Sequence, residues 1–438
     1  MARYELRDPI HSRIPFSEFE RAIIDHRYVQ RLRFISQLGF LQSLVYPGAL
    51  HDRFTHSLGT MHVAGRLFAR AVSDSSVLKA KLSQDEVEAL RIRVRVAGLL
   101  HDIGHGPFSH ASELLFPKLK ELPMDWSWWQ GQIEDRQAIH EDYSVLLINQ
   151  MAKEGAIKSD FAQDVCSLIH ADVQPSEWFL ELIERLPSLQ RALKGLISGE
   201  VDADRMDYLL RDSYYCGVAY GTFDIDWLIS SIGVGEKEDG SLVFTISENG
   251  VRAFEDLLLA RYHMIDQVYF HKTKAGFTHY LEQAIKQEID LTIPTDPEEY
   301  AFLRDGAVIE KLFKAAKDES NYFAHHLMSR IAAKRILRFR DLDLEDMKKL
   351  DQLKRICDQK GVKWFTHSVA NELSHLGETP REDALIYVRK KTLDGYKLIP
   401  VFEYSDLLQK YNEKLRFTDF FVRREDYEKF SQSEKPLA

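Results

Sequence analysis

The 438-residue chain has three cysteines, Cys166, Cys216 and Cys357, and none stands at a paired spacing. That scarcity excludes a disulfide framework and a zinc ribbon, and it predicts reduced thiols in a cytoplasmic protein. No apolar run is long enough to cross a bilayer. The start, Met1-Ala2-Arg3-Tyr4-Glu5-Leu6-Arg7-Asp8, is charged where a secretory segment is apolar. There is no internal repeat and no low-complexity tract. Basic residues are outnumbered, 58 Lys+Arg against 68 Asp+Glu for a formal charge of -10. That balance argues against a general nucleic-acid coat and leaves room for a local basic pocket.

With 45% hydrophobic and 29% charged residues, the composition is that of a globular chain. The length predicts one large domain plus an appendage. The most informative stretch is His101-Asp102-Ile103-Gly104-His105-Gly106-Pro107-Phe108-Ser109-His110, straight after the apolar run Val94–Leu100. An adjacent His-Asp pair leaving a buried helix supplies two bonds to one cation, and the mixed donors leave the metal's identity open. His105, about one helical turn on, faces the same side and can move protons without binding metal. A capped helix end is the bland alternative. It fits poorly, because burying His, Asp and His together costs several kcal/mol unless something pairs them.

Most of the chain reads as helix: Phe16–Leu38, Arg53–Val72, Gln84–Leu100, His140–Lys153, Ser159–His170, Glu177–Glu184, Leu189–Gly195 and Leu196–Asp212. An insertion loop is expected near 123–135. A hairpin is expected at Gly233–Ile246, around Asp239-Gly240. A long helix, Gly250–Glu288, precedes the break Thr292–Pro297. The predicted class is mainly α: an all-helical core over 1–290 with a small hairpin, then a smaller α+β domain over 298–431. In that second part, helices Ala301–Lys317, Glu319–Arg335 and Glu345–Gln359 give way to strands Leu385–Val388, Leu398–Phe402 and Phe417–Val422. Residues 432–438 are expected to form a disordered tail.

A cation needs further ligands, and two segments offer them: Arg53–Gly59 with His56, and Val201–Tyr208 with its carboxylates. His56, His101-Asp102 and Asp204, in this order, resemble the HD-domain metal phosphohydrolases, and most closely their deoxynucleoside triphosphate triphosphohydrolase branch. The motifs are Gln30–Arg33 through Gln37-Leu38-Gly39, Pro47–Ala49 through Arg53–Gly59, and His101 through His110. Together they span roughly residues 5 to 290. Too few residues stand upstream for a sterile-alpha-motif domain. The resemblance implies that His56, His101, Asp102 and Asp204 hold one divalent transition metal (Fe, Mn, Zn, Ni or Co), with Mg accompanying the substrate. Two imidazoles and two carboxylates leave positions open for water and phosphate oxygens. His105, Glu113 and His140 would form the proton-transfer group, with Glu113 orienting His105 and His110 a lesser candidate beside the phosphates.

The same resemblance assigns a dNTP substrate. Arg53 would reach the phosphates, Arg261 and Lys272 the β/γ phosphates, and Gln37 with Leu38 the sugar. Tyr208, Asp212, Tyr269 and His271 would line the nucleoside. A ring at Tyr269 against C2′ would reject a 2′ hydroxyl, as a filled pocket rejects added volume. Asp25, Gln30 and Arg33 match positions that bind a guanine nucleotide activator in a homo-oligomer (dimer or tetramer), although a bracing role for Gln30 and Arg33 is the simpler alternative. The expected reaction is hydrolysis to deoxynucleoside and inorganic triphosphate. The rivals are another phosphoester (a nucleoside monophosphate, a cyclic dinucleotide or an alarmone) and a nucleotide- or nucleic-acid-binding sensor with a decayed site. Lys334, Arg335, Arg338, Arg340, Lys348 and Lys349 are the scattered basic candidates for the last, read as a solvated helix face balanced by Asp341, Asp343, Glu345 and Asp346.

Overall fold

Three helices cross at the centre of the molecule and carry its buried polar cluster at their ends. Arg53–Asp74 packs against both Gln84–Leu100 and Ala203–Cys216. Asp52 caps the first by accepting from Thr55 N at 2.8 Å, and Asp202 caps the third by accepting from Arg205 N at 2.7 Å. The first two helices approach closely because Gly98 has no side chain: a Cβ there would lie 3.1 Å from the Thr60 carbonyl oxygen. The computed structural model describes residues 4–372, 386–393, 395–410 and 414–431, and of residues 110, 370–372, 410 and 414–415 the backbone alone. Residues 432–438, with the expected tail, and Leu385 lie outside these.

The fold is mainly α. Helices His140–Lys153, Ser159–Ile169, Glu177–Arg185 and Leu189–Gly195 complete the layer behind the crossing, and one buried apolar cluster runs from Ile14 to Leu408 through it. Among the described residues no helix is long and apolar enough to cross a membrane.

Five expected helices are interrupted, each by a local competitor; Ala301–Lys317, for one, is split between Pro297–Phe302 and Asp305–Ala315, parted at Leu303 and Arg304. Phe16–Leu38 opens with a strand, Ser12–Phe16, paired to Tyr4–Asp8, and then breaks at His26. His26 is extended (φ -66, ψ 141) and its ring accepts from Tyr28 N. In Leu196–Asp212 the helix starts only at Ala203, where Asp202 caps it. Gly250–Glu288 is two helices, Val251–Met264 and Lys272–Gln287, joined by a π-turn at Ile265–Tyr269 and an extended His271; π-turns concentrate at functional sites. Glu319–Arg335 shortens to Tyr322–Met328. Lys334–Arg340 becomes a strand, since pairing with Lys414–Val422 overrides helical propensity.

That strand, Lys414–Val422 and Trp364–Glu372 form a three-stranded antiparallel sheet. The basic run is therefore partly on a strand rather than a helix face, and Arg335 and Arg338 pair with the buried Asp419. The hairpin Ile232–Glu236/Leu242–Ser247 lies where its turn signal places it. It is extended by Ile386–Thr392, parallel to Leu242–Ser247, and then by Gly395–Pro400. This sheet draws strands from both sides of the break at 292–297. The last strand stops at Pro400, and Val401–Tyr404 is helical instead of extended.

Candidate active site and metal centre

Each of the three crossing helices delivers candidate ligands from an end. His56 comes from the first turn of Arg53–Asp74, His101 and Asp102 directly follow Leu100, and Asp204 sits in the first turn of Ala203–Cys216. His56 Nε2 lies 3.0 Å from Asp204 Oδ1 and 3.6 Å from Asp102 Oδ2. His101 Nε2 lies 3.5 Å from Asp204 Oδ1 and 3.3 Å from Asp102 Oδ1. The four residues named from the sequence thus converge, although 148 positions separate His56 from Asp204.

Their other atoms are committed elsewhere. His101 Nδ1 donates to the Gly98 carbonyl oxygen at 2.9 Å, and His56 Nδ1 donates to Asp207 Oδ2 at 2.7 Å. Both Nε2 atoms therefore point inward. Both Nε2 atoms are buried and, despite the nearby carboxylates, neither makes a hydrogen bond of acceptable geometry. Burial depresses His56, but Asp204 and Asp207 outweigh it and lift the imidazole to about 10. Burial opposes ionisation of Asp204 too, and the two imidazoles overcome it and hold its carboxyl below the usual range. So the acidic surroundings draw positive charge onto the imidazoles, a demand that a divalent cation among the same atoms would meet. The donor set fits a metal.

Asp207 is the part of this centre that sequence reasoning missed. It accepts from Arg211 Nε and Nη2, both at 2.8 Å, and from His11 Nε2 at 2.7 Å. Arg211 also reaches Asp8 at 2.9 Å, so the N-terminal hairpin closes onto the orienting carboxylate. The signal was present: Asp204, Asp207 and Arg211 stand at i, i+3 and i+7, one face of one helix.

Beside the ligands, His105 Nε2 lies 3.3 Å from Asp102 Oδ1, and its ring stacks on His140 at 3.8 Å and 16°. Glu113 Oε1 accepts from His140 Nδ1 at 2.7 Å. The 3-10 turn Ser109–Leu115 brings Glu113 to the start of the His140–Lys153 helix, and His140 supplies the link to His105. Burial, then Arg53 and His140, hold His105 well below an ordinary imidazole. Burial also opposes charging of His140, but Glu113 and Glu141 raise it. The side chain of His110 lies outside the described residues.

A cavity of about 530 Å³ opens onto this cluster, within the range of small-molecule sites. Asp204, with 30% of its side chain exposed, forms part of the wall. Gln37, Leu38, Arg53, Tyr208, Asp212, Arg261 and Tyr269 line the cavity as well. Arg53 donates to Asp102 Oδ2 and, at 3.0 Å, to Ser109 Oγ. Tyr269 is fixed by its hydroxyl, which donates to Asp212 Oδ2 at 2.6 Å, while His51 holds the other oxygen at 2.7 Å. His271 and Lys272 do not line the cavity. His271 is spent as the cap of the Lys272–Gln287 helix, and Lys272 sits exposed at its first position. The lysine that faces the cavity is Lys274.

Asp25, Gln30 and Arg33 lie away from the cavity lining. Gln30 Nε2 donates to the Ile24 carbonyl at 2.7 Å, Arg33 Nε donates to Gln30 Oε1 at 2.8 Å and covers the Phe54 ring, and Asp25 pairs with Arg21 at 3.4 Å.

Comparison with known proteins agrees with this geometry. Residues 53–212 match the HD domain, and residues 223–372 match the HD associated region. An uncharacterized protein of Methanocaldococcus jannaschii is 33% identical over 345 residues, 78% of this chain and 62% of its own length. The deoxynucleoside triphosphate triphosphohydrolase SAMHD1 of Homo sapiens is 30% identical over 281 residues, 61% of this chain and 42% of its own. The chain therefore spans less than two thirds of either relative. Among solved structures, a phosphohydrolase from Bacteroides thetaiotaomicron superposes with a TM-score of 0.68 at 25% identity, covering 96% of this chain and 100% of that one. The chain belongs to the HD-domain proteins, carrying the HD domain followed by the HD associated region.

Proposed function

We propose that the protein hydrolyses deoxynucleoside triphosphates to a deoxynucleoside and inorganic triphosphate. The observation that carries this reading is the adjacency of the four-ligand cluster, the Arg53 guanidinium and the Tyr269 ring around one cavity. The human relative, a deoxynucleoside triphosphate triphosphohydrolase, agrees with it.

His56, His101, Asp102 and Asp204 would hold the cation. When bound, a divalent metal supplies Lewis-acid polarisation of phosphate oxygens and acidifies water. Arg53 and Arg261 provide the positive charge that receives a polyphosphate, and Arg53 is pre-aimed by Asp102 and Ser109. Water adds to the α-phosphorus and the bond to the 5′ oxygen breaks, so that oxygen must gain a proton. His105 is the group assigned to deliver it, with His140 stacked behind and Glu113 fixing His140. Burial, then Arg53 and His140, hold His105 below an ordinary imidazole, and incoming phosphates would offset the Arg53 share of that effect. Most of the acceleration comes from placed charge rather than covalent chemistry. Tyr269, immobilised by Asp212, packs where a 2′ hydroxyl would need space.

Chromatography of products from dGTP tests this reading. Deoxyguanosine and triphosphate are expected; dGDP or dGMP would overturn the assignment.

A further inference from the structure

Lys274, Thr278 and Glu282 line the cavity from successive turns of the Lys272–Gln287 helix. They stand at i, i+4 and i+8, one face of that helix. The apolar side chains Leu41, Phe108 and Leu281 wall the same space and belong to one packed cluster. Lys274 and Glu282 are both half-buried. Among the described residues, the Lys274 ammonium and the Glu282 carboxylate make no hydrogen bond and close no ion pair. Burial lowers Lys274, with only Glu282 opposing it, and burial raises Glu282, with Lys286 and Lys274 opposing it. Neighbouring His367 is itself held below an ordinary imidazole by burial and by Lys274, so it offers the lysine no compensation.

Half-buried charges without a local partner suit a ligand that brings the complement of each. The ligand cannot be another phosphate, because Glu282 would face it, and the cavity already meets phosphate with Arg53 and Arg261. Apolar walls around a donor–acceptor edge fit a nucleobase. A carboxylate is an acceptor only, and an ammonium is a donor only. Guanine presents two adjacent donors, N1–H and N2–H, to a carboxylate, and carries its O6 and N7 acceptors alongside. Adenine and cytosine offer a single amino group, and thymine a single N–H. Eight residues of helix span about 12 Å, a gap that two long side chains narrow from opposite ends.

We infer that Lys274 and Glu282 form a base-reading subsite that selects guanine, with Glu282 accepting from N1–H and N2–H and Lys274 donating to O6. This rests on the nucleotide reading proposed above and extends it to base preference.

The test compares the wild-type protein with Glu282→Gln and Lys274→Met on dGTP and dTTP, and measures binding of deoxyguanosine and thymidine by calorimetry. The wild type should favour dGTP, and each variant should lower the dGTP:dTTP ratio of kcat/KM by roughly tenfold or more, the usual discrimination of one bidentate contact. Glutamine keeps the shape of Glu282, and matching melting curves would show that the fold is intact. If the wild type hydrolyses neither triphosphate, the catalytic reading fails. The subsite is then judged by binding alone: preferential deoxyguanosine binding that Glu282→Gln removes supports it. Equal ratios in wild type and variants, or no binding preference for deoxyguanosine, overturn it.

Discussion

Asp207 Oδ2 lies 2.7 Å from His56 Nδ1 and decides which nitrogen of that imidazole faces Asp204. The same carboxylate is gripped by Arg211 and His11, so its position is fixed by three donors from two elements. Carboxylate–histidine pairs of this kind set the tautomer and basicity of metal-ligating imidazoles.

Asp207→Asn should therefore weaken metal retention by about 10–100-fold, the usual cost of losing such an orienting group. Metal content after dialysis against graded chelator measures it, with circular dichroism to confirm the fold. Retention equal to that of the wild type would contradict the orienting role.

Arg95 Nε donates to Glu20 Oε1 within the core, and Ser17 completes the shell around that carboxylate. Burial opposes ionisation of Glu20, but Arg95 and Ser17 outweigh it, so its folded-state pKa lies below the ordinary 4.5. Because the folded value is the depressed one, this stabilisation is complete above the unfolded pKa and is lost as pH falls through the folded value. Glu20→Gln should cost about 3 kcal/mol near neutrality, as breaking one half of a buried pair does. The gap from wild type should shrink below pH 4.5. Urea unfolding at several pH values measures both. A gap independent of pH would contradict the assignment.

Tyr269 is held by Asp212 against the Tyr208 ring, whose centroid is 6.4 Å away. Tyr269→Ala should raise the GTP:dGTP ratio of kcat/KM by roughly tenfold, since a filled pocket rejects added volume by about that much. Tyr269→Phe keeps the ring and should leave more of the discrimination in place. Steady-state kinetics on both nucleotides distinguish them; an unchanged ratio in the alanine variant would remove the gate.

The convergence of His56, His101, Asp102 and Asp204 is legible through the resemblance that their short motifs carry, and those motifs stand at helix ends, where caps and apolar runs are readable. Helix Gln84–Leu100 and the hairpin at Asp239-Gly240 follow from local signals alone. Asp207 was less visible, since its meaning depends on His56 and His11, 151 and 196 positions away. The resemblance points to Lys272, whereas Lys274 lines the cavity: the π-turn and the His271 cap break the helix just before these two lysines. Strand Lys334–Arg340 was hidden because its partner, Lys414–Val422, lies far along the chain. Tertiary pairing of that kind leaves little trace in propensity.

Anomalous scattering from crystals grown with manganese or iron tests the central claim most directly, namely that side chains from three helices share one ion. A single strong peak among His56 Nε2, His101 Nε2, Asp102 and Asp204, lost in a His101→Ala/Asp102→Ala double variant, is the predicted result. A peak elsewhere, or full metal occupancy in the double variant, would contradict it.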